Sequence, residues 1–170
     1  SEAGNNFLAQ LSIAWEQATA AASEAGIRTV HLRTGVVLSP NGGALQQMLT
    51  PFKLGLGGAF GNGKQYMSCI GLHEVTNIIQ FIIAQPSIQG AVNMVAPVAV
   101  SNKTFTKTLG AVLKRPTFFT VPAPIARFAF GEMADHLLLT GARVKPSVLM
   151  AHGYPFIDND LSATLKRELS

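Results

Sequence analysis

Apolar residues recur along this chain with two periods, and the period changes at clusters of glycine, proline and asparagine. Leu8, Leu11, Trp15, Ala18 and Ala22 form a helical stripe. They predict a helix over about 6–25, capped by Asn5 or Asn6 and stopped by Gly26. Val30, Leu32, Val36, Val37 and Leu38 then read as a buried strand. Ser39-Pro40-Asn41-Gly42-Gly43 breaks that run, and Leu45, Met48, Leu49 and Phe52 restart it as an amphipathic helix. In an open parallel sheet, ligands sit beyond the carboxyl ends of strands, so the segment 33–37 is expected to line any site. A short strand over 66–70 follows. A helix starting near His73 carries Val75, Ile78, Ile79 and Ile82 and ends before Pro86. Gly90 precedes a strand over 91–95, and Ser101 caps a helix over 102–114 with Phe105, Leu109 and Val112 inward. Alternating helix and strand imply a parallel α/β sheet with crossover helices.

After Pro116 the pattern changes. A short extended piece over 118–121 leads through Pro122-Ala123-Pro124 into apolar helical runs over 125–130 and 133–139. Gly141 stops these, Pro146 begins a short helix, and Asp160 caps a last one ending near Leu169. The division expected is 1–115 for the α/β part and 116–170 for a small helical C-terminal domain packed on it. Only about three strands are convincing, and no G-x-G-x-x-G follows any of them, so a dinucleotide's pyrophosphate has no loop here. The fold class expected is therefore α/β: the C-terminal half of an incomplete Rossmann-like parallel sheet, with a helical appendage. The first residue is Ser, which fits a chain that is a piece of something longer.

Composition narrows the class. The 170 residues are 48% hydrophobic and 13% charged, enough apolar material for a sizeable core. The net charge of +4 is not concentrated in any run. Lys103, Lys107, Lys114 and Arg115 come nearest, and their helical spacing reads as one solvated face rather than a nucleic-acid surface. One cysteine, Cys69, excludes an internal disulfide and suits a reducing, cytoplasmic setting. No apolar run approaches the roughly 20 residues that span a bilayer. No nucleic-acid or membrane partner is expected.

Candidate chemistry is sparse. Gly55–Gly63 holds five glycines in nine positions with Lys53 and Lys64 nearby, but it feeds a strand rather than a helix N-terminus. It reads as a turn or as a flexible substrate-side loop. His31, His73, His136 and His152 make no metal spacing, and the adjacent His73-Glu74 fits a helix start better than a ligand pair. Cys69 lies in an apolar strand and reads as a buried hydrophobe. Glu132 and Asp135 share a helix face, as helix-end charges or as an acid pair. Arg33 follows apolar strand residues, so its guanidinium needs a partner, either a protein carboxylate or a ligand's anionic group.

Three separated motifs carry a resemblance. LRTGVVLSPNGGAL followed by MLTPFKLGLGGAFGNGKQYMSCI resembles the second half of an extended short-chain dehydrogenase/reductase. FLAQLSIAWEQA resembles the helix before its central strand. VPAPIARFAFGEMADHLLLTGARVKPSVLMAHGYPF, with its GEMAD and its Gly141, Arg143 and Pro146, resembles the terminal domain of unknown function found in a subgroup of sugar-nucleotide epimerases.

The resemblance implies an NAD(P)-dependent epimerase or oxidoreductase acting on a small-molecule substrate. Arg33, Thr34, Gly35 and Val36 match positions beside the nicotinamide, and Gly61, Gly63, Met67 and Glu74 fall on the substrate side. NAD or NADP is expected in the full-length protein and none on this chain alone, because the N-terminal Rossmann half is its missing partner. The Tyr-x-x-x-Lys pair of extended members is absent: Leu8 and Ser12, or Phe7 and Leu11, stand where it would fall. No catalytic residue is assigned. Met67 stands where many members place a diphosphate-gripping Arg, and it cannot pair with phosphate. These departures leave a second reading, a non-catalytic nucleotide-binding or regulatory module. An unpaired sheet edge can also associate with a second copy as a homodimer.

Overall fold

The structure, a computed structural model, describes residues 7–122, 141–158 and 160–170. The helices expected over 125–130 and 133–139, the Asn5 or Asn6 cap, the Glu132/Asp135 pair and His136 lie outside the described residues. In chain order the elements are α1 (Phe7–Gln17), α2 (Ala20–Glu24), β1 (Val30–Thr34), β2 (Val36–Leu38), α3 (Gly43–Lys53), β3 (Gly58–Phe60), β4 (Tyr66–Met67) and β5 (Cys69–Gly71). They continue with α4 (Leu72–Ala84), β6 (Gly90–Met94), β7 (Val100–Ser101), α5 (Asn102–Leu113), β8 (Phe119–Val121), α6 (Ser147–Ala151) and α7 (Leu161–Glu168).

The fold is α/β. β1 runs parallel to β6, β2 to β5 and β3 to β8, while β4 and β7 form a short antiparallel pair. β1 and β2 are one extended run that changes partner at Gly35. Arg33 lies opposite Asn93, whereas Val36 lies opposite Cys69. The Gly35 N–H still donates to Met94 O at 3.1 Å, and the next N–H, on Val36, donates to Ser68 O at 2.8 Å. A Cβ on residue 35 would lie 2.3 Å from Ser68 O and 2.7 Å from Val95 Cγ1, so only glycine lets the two strands close on this run.

β2 and β5 are buried on both faces, and their alternation feeds two cores. Val36, Leu38 and Cys69 face Leu45, Phe52, Phe105, Leu109 and Leu165. Val37 and Ile70 face Ile78, Ile82, Val92, Met94, Leu149 and Tyr154. Segment 116–170 thus contributes to both cores, through Leu165 to one and Leu149 and Tyr154 to the other. Asn102, fully buried at the start of α5, accepts from Phe60 N at 2.8 Å and donates to Met67 Sδ at 3.3 Å, tying β3 and β4 to that helix.

Three expectations change in detail. The first helix is two, parted at Ala18–Thr19, where the Thr19 hydroxyl donates to Glu16 O at 2.8 Å and competes with the helical ladder. Of its apolar stripe, Trp15 is 69% exposed, Ala18 is exposed as well, and Leu11 and Ala22 are half-buried. The strand over 66–70 is also two, β4 and β5, with Ser68 between them. The caps expected at Ser101 and Asp160 form, accepting from Thr104 N at 3.1 Å and Ala163 N at 2.8 Å. α4 is different. His73, in its first turn, donates its N–H to Glu168 Oε1 at 3.0 Å, from the last helix of the chain.

Gly35→Ala is expected to lower stability at the upper end of the roughly 1–3 kcal/mol typical of overpacking, since its nearest obstacle is backbone. Urea unfolding followed by circular dichroism measures this, and an unchanged midpoint would contradict the close approach.

Candidate functional site

The stretch Arg33–Val36 lies where the central run leaves β6 for β5, at the carboxyl end of β1. Arg33 and Thr34 are exposed, and Gly35 and Val36 half-buried. The structure supplies Arg33 with its partner: Nε and Nη2 donate to Glu16 Oε1 and Oε2 at 2.6 and 2.7 Å, a fork from α1 onto β1. That hydrogen bonding holds the Glu16 carboxyl below its ordinary range and raises Arg33. The pair is solvent-facing and holds α1 against the strand rather than adding much stability.

A strap over 141–146 crosses beside this stretch. Ser68 Oγ donates to Ala142 O at 2.7 Å and accepts from Val144 N at 3.0 Å. Asn93, opposite Arg33 in the register, donates from Nδ2 to Lys145 O at 3.1 Å. A Cβ on Gly141 would lie 2.2 Å from Tyr66 O, and the Arg143 guanidinium stacks over the Tyr66 ring at 5.2 Å. All three positions of the G-x-R-x-x-P pattern therefore have a structural use: close approach, ring contact, and Pro146 at the start of α6.

The four substrate-side residues fall in three environments. Met67 is buried and lines a cavity of about 20 Å³ with Leu38, Cys69, Ala96, Val98 and Asp160, room for about one water. Gly61 lines a second cavity of about 190 Å³ between α5 and β8, and Gly63 packs beside it against Lys103. Glu74 is 5% exposed, and its carboxylate accepts from the Tyr154 hydroxyl, from Ile157 N at 3.0 Å and from Asp158 N at 3.4 Å. Its oxygens are engaged by the loop after α6. Tyr154 in turn packs edge-on against Phe81 and Phe156. Burial first, and the Glu74 carboxylate second, push its phenol well above the ordinary range. Burial likewise pushes the Cys69 thiol up to about 12, as for an inert core cysteine.

Glu16, Ser68, Asn93 and Tyr154 were not singled out by the sequence, though each organises this region. The available signal was polarity out of place: Ser68 interrupts an apolar stretch between β4 and β5, and Asn93 sits inside the otherwise apolar β6. Among the described residues no group of three or more His, Cys, Asp or Glu is arranged to hold a metal ion, and no helix is long and apolar enough to cross a membrane.

Comparison with known proteins places this geometry. The profile of a domain of unknown function, DUF1731, matches residues 121–168. The epimerase family protein Mb2239 of Mycobacterium bovis is 47% identical over 163 residues, covering 96% of this chain and 54% of that protein. The crystal structure of human epimerase family protein SDR39U1 (isoform2) with NADPH aligns with TM-score 0.79 and 37% identity, over 83% of this chain and 48% of the other. The nucleoside-diphosphate sugar epimerase from Corynebacterium glutamicum aligns with TM-score 0.80 and 36% identity, over 99% of this chain and 32% of the other.

The parallel strand pairs with their crossover helices are Rossmann-like, consistent with the C-terminal part of an extended short-chain dehydrogenase/reductase. The chain is similar to the epimerase family proteins over nearly its whole length, and it spans about half the length of the curated relatives it matches.

Tyr154→Phe leaves a Glu74 oxygen short of a donor and is expected to cost about 1–3 kcal/mol. It also has a pH signature. Because the folded phenol titrates above its unfolded value, its contribution is complete below about pH 10 and is lost as pH rises further. The variant should therefore lose stability less steeply above that pH than the parent. Denaturant melts between neutral and alkaline pH check this, and identical slopes would contradict the assignment.

Proposed function

We propose that the intact protein is an NAD(P)-dependent oxidoreductase or epimerase that acts on a small carbonyl or hydroxyl compound. The observation that carries this reading is the partner switch at Gly35. It falls at the carboxyl end of β1, the place where open α/β sheets receive dinucleotides. In this reading Arg33, Thr34, Gly35 and Val36 form the wall against the nicotinamide end. The strap over 141–146, held by Ser68 and Asn93, borders the same stretch. Gly61, Gly63 and Met67 lie toward the substrate, and Glu74 positions the loop over 154–158. The human relative, whose crystal structure is with NADPH, supports the cofactor class.

The residues fit one end of that cofactor and not the other. The exposed end of β1 at Arg33 and Thr34 suits a planar ring lying against it. No glycine fingerprint follows any strand of the chain, so the diphosphate needs a loop from elsewhere in the protein. The exposure of Ile13, Trp15 and Leu32 supports the same conclusion, since large apolar side chains suit cover by a further α/β half. Without a Tyr-x-x-x-Lys pair on α1, proton transfer falls to a residue upstream, or the chemistry departs from that of the usual members.

The 170-residue chain alone is accordingly expected to be inactive and to show no micromolar affinity for NADPH or NADH, while the intact protein binds one of them. Fluorescence titration of the reduced cofactor against both forms checks this. Saturable micromolar binding by the short chain would overturn the proposal. On the intact protein, a panel of aldehydes and ketones should reveal cofactor oxidation; binding with no turnover across an extended panel would count against an enzyme.

A further inference from the structure

The sequence presents Lys103 and Lys107 as part of a solvated helix face. Both are exposed in the structure, and both also stand on the wall of the 190 Å³ cavity, together with Asn62, Thr106, Phe118 and Phe119. We propose that this cavity is an oxyanion site that takes the phosphate group of a small molecule.

The first argument is charge. The two lysines lie one helical turn apart on α5, so their ammonium groups can converge on one anion. Neither makes an ion pair among the described residues, and no acidic residue lines the cavity. The second is an unmade hydrogen bond. Thr106 is 2% exposed, lines the cavity, and its Oγ1 has no partner, although a helical threonine can ordinarily bond back to the carbonyl four residues earlier. Only one other buried side-chain polar atom among the described residues shares that condition, Asn77 Nδ2. A ligand oxygen would relieve the cost of the orphaned hydroxyl.

The walls are fixed. Gly63, at φ +67°, lets the loop lie against Lys103, where a Cβ would come within 3.0 Å of the Lys103 Cβ. Lys103 N then donates to Gly63 O at 2.9 Å, and Gly61 N donates to Val121 O at 3.0 Å. Asn62 Oδ1 accepts from the Lys64 N–H at 2.9 Å, which fixes the amide's orientation and leaves its NH₂ group as a donor suited to an anion. Phe118, 90% exposed at the rim, gives the phosphate's organic substituent an apolar surface. Gly61, which lines the cavity, is placed toward the substrate in the function proposed above, but the phosphate assignment rests on Lys103, Lys107 and Thr106 and not on that reading.

The test is calorimetric titration of the intact protein with inorganic phosphate and with phenyl phosphate, alongside amide spectra. Saturable binding is expected, with shifts centred on Asn62, Lys103 and Thr106. A phosphate ester is the natural ligand if phenyl phosphate binds about tenfold tighter, a difference of about 1.4 kcal/mol; equal affinities assign free phosphate to the same site. Lys103→Gln with Lys107→Gln should weaken binding by about tenfold or more. Thr106→Val should weaken it by about fivefold, yet leave the melting temperature of the free protein equal or higher, because an unsatisfied hydroxyl is removed. No binding at tens of millimolar phosphate, or an affinity indifferent to both changes, would overturn the proposal, as would shifts confined to other residues.

Discussion

The structure depends on one absent side chain. At residue 35 the space a Cβ would need is held by the Ser68 carbonyl oxygen, at 2.3 Å, and by the Val95 side chain. That approach lets a single extended run donate to Met94 O on one side of the switch and to Ser68 O on the other. β6 and β5 can then both pair with the same extended run, and the change of partner falls at the carboxyl end of β1. The two cores meet along β2 and β5, so displacement here would reach both α3 and α4.

The later part of the chain is secured to this centre by polar contacts of high sequence separation. Glu168 caps α4 at His73, Glu74 gathers the loop over 154–158, and Ser68 bridges Ala142 O and Val144 N. Each leaves a buried or half-buried polar group satisfied only when the C-terminal segments are in place. Removing one partner therefore costs desolvation as well as a bond. The match of DUF1731 to residues 121–168 accordingly covers a segment whose described parts contribute to both cores rather than resting on their surface.

Local patterns revealed the elements better than their use. The strand, loop and helix over 28–52 were readable because apolar period and Pro/Asn/Gly punctuation act within a few residues. The caps at Ser101 and Asp160 were readable for the same reason. Arg33 announced a need for a partner, but its identity, Glu16, depended on how α1 lies across β1. Trp15 belonged to a clear apolar stripe, yet the stripe says which face is apolar and not what covers it. Gly35 could be seen as a glycine in a strand; the carbonyl against it comes from Ser68, far along the chain. Met67 and Glu74, placed on the substrate side by resemblance, are buried by contacts from α5 and from the loop after α6, which no local window contains. Lys103 and Lys107 showed the right helical spacing for a face, without showing that a glycine loop and β8 stand opposite it.

The most direct test of the central claim is native-state hydrogen exchange of the Gly35 and Val36 amides in the intact protein. If the double commitment at this point holds the sheet together, both amides exchange only through global unfolding, with the same free energy as Leu38 and Val92 in the cores. Exchange of Gly35 and Val36 at a clearly lower free energy, while Leu38 and Val92 stay protected, would show that the switch is a local accommodation and not the constraint on which the fold rests.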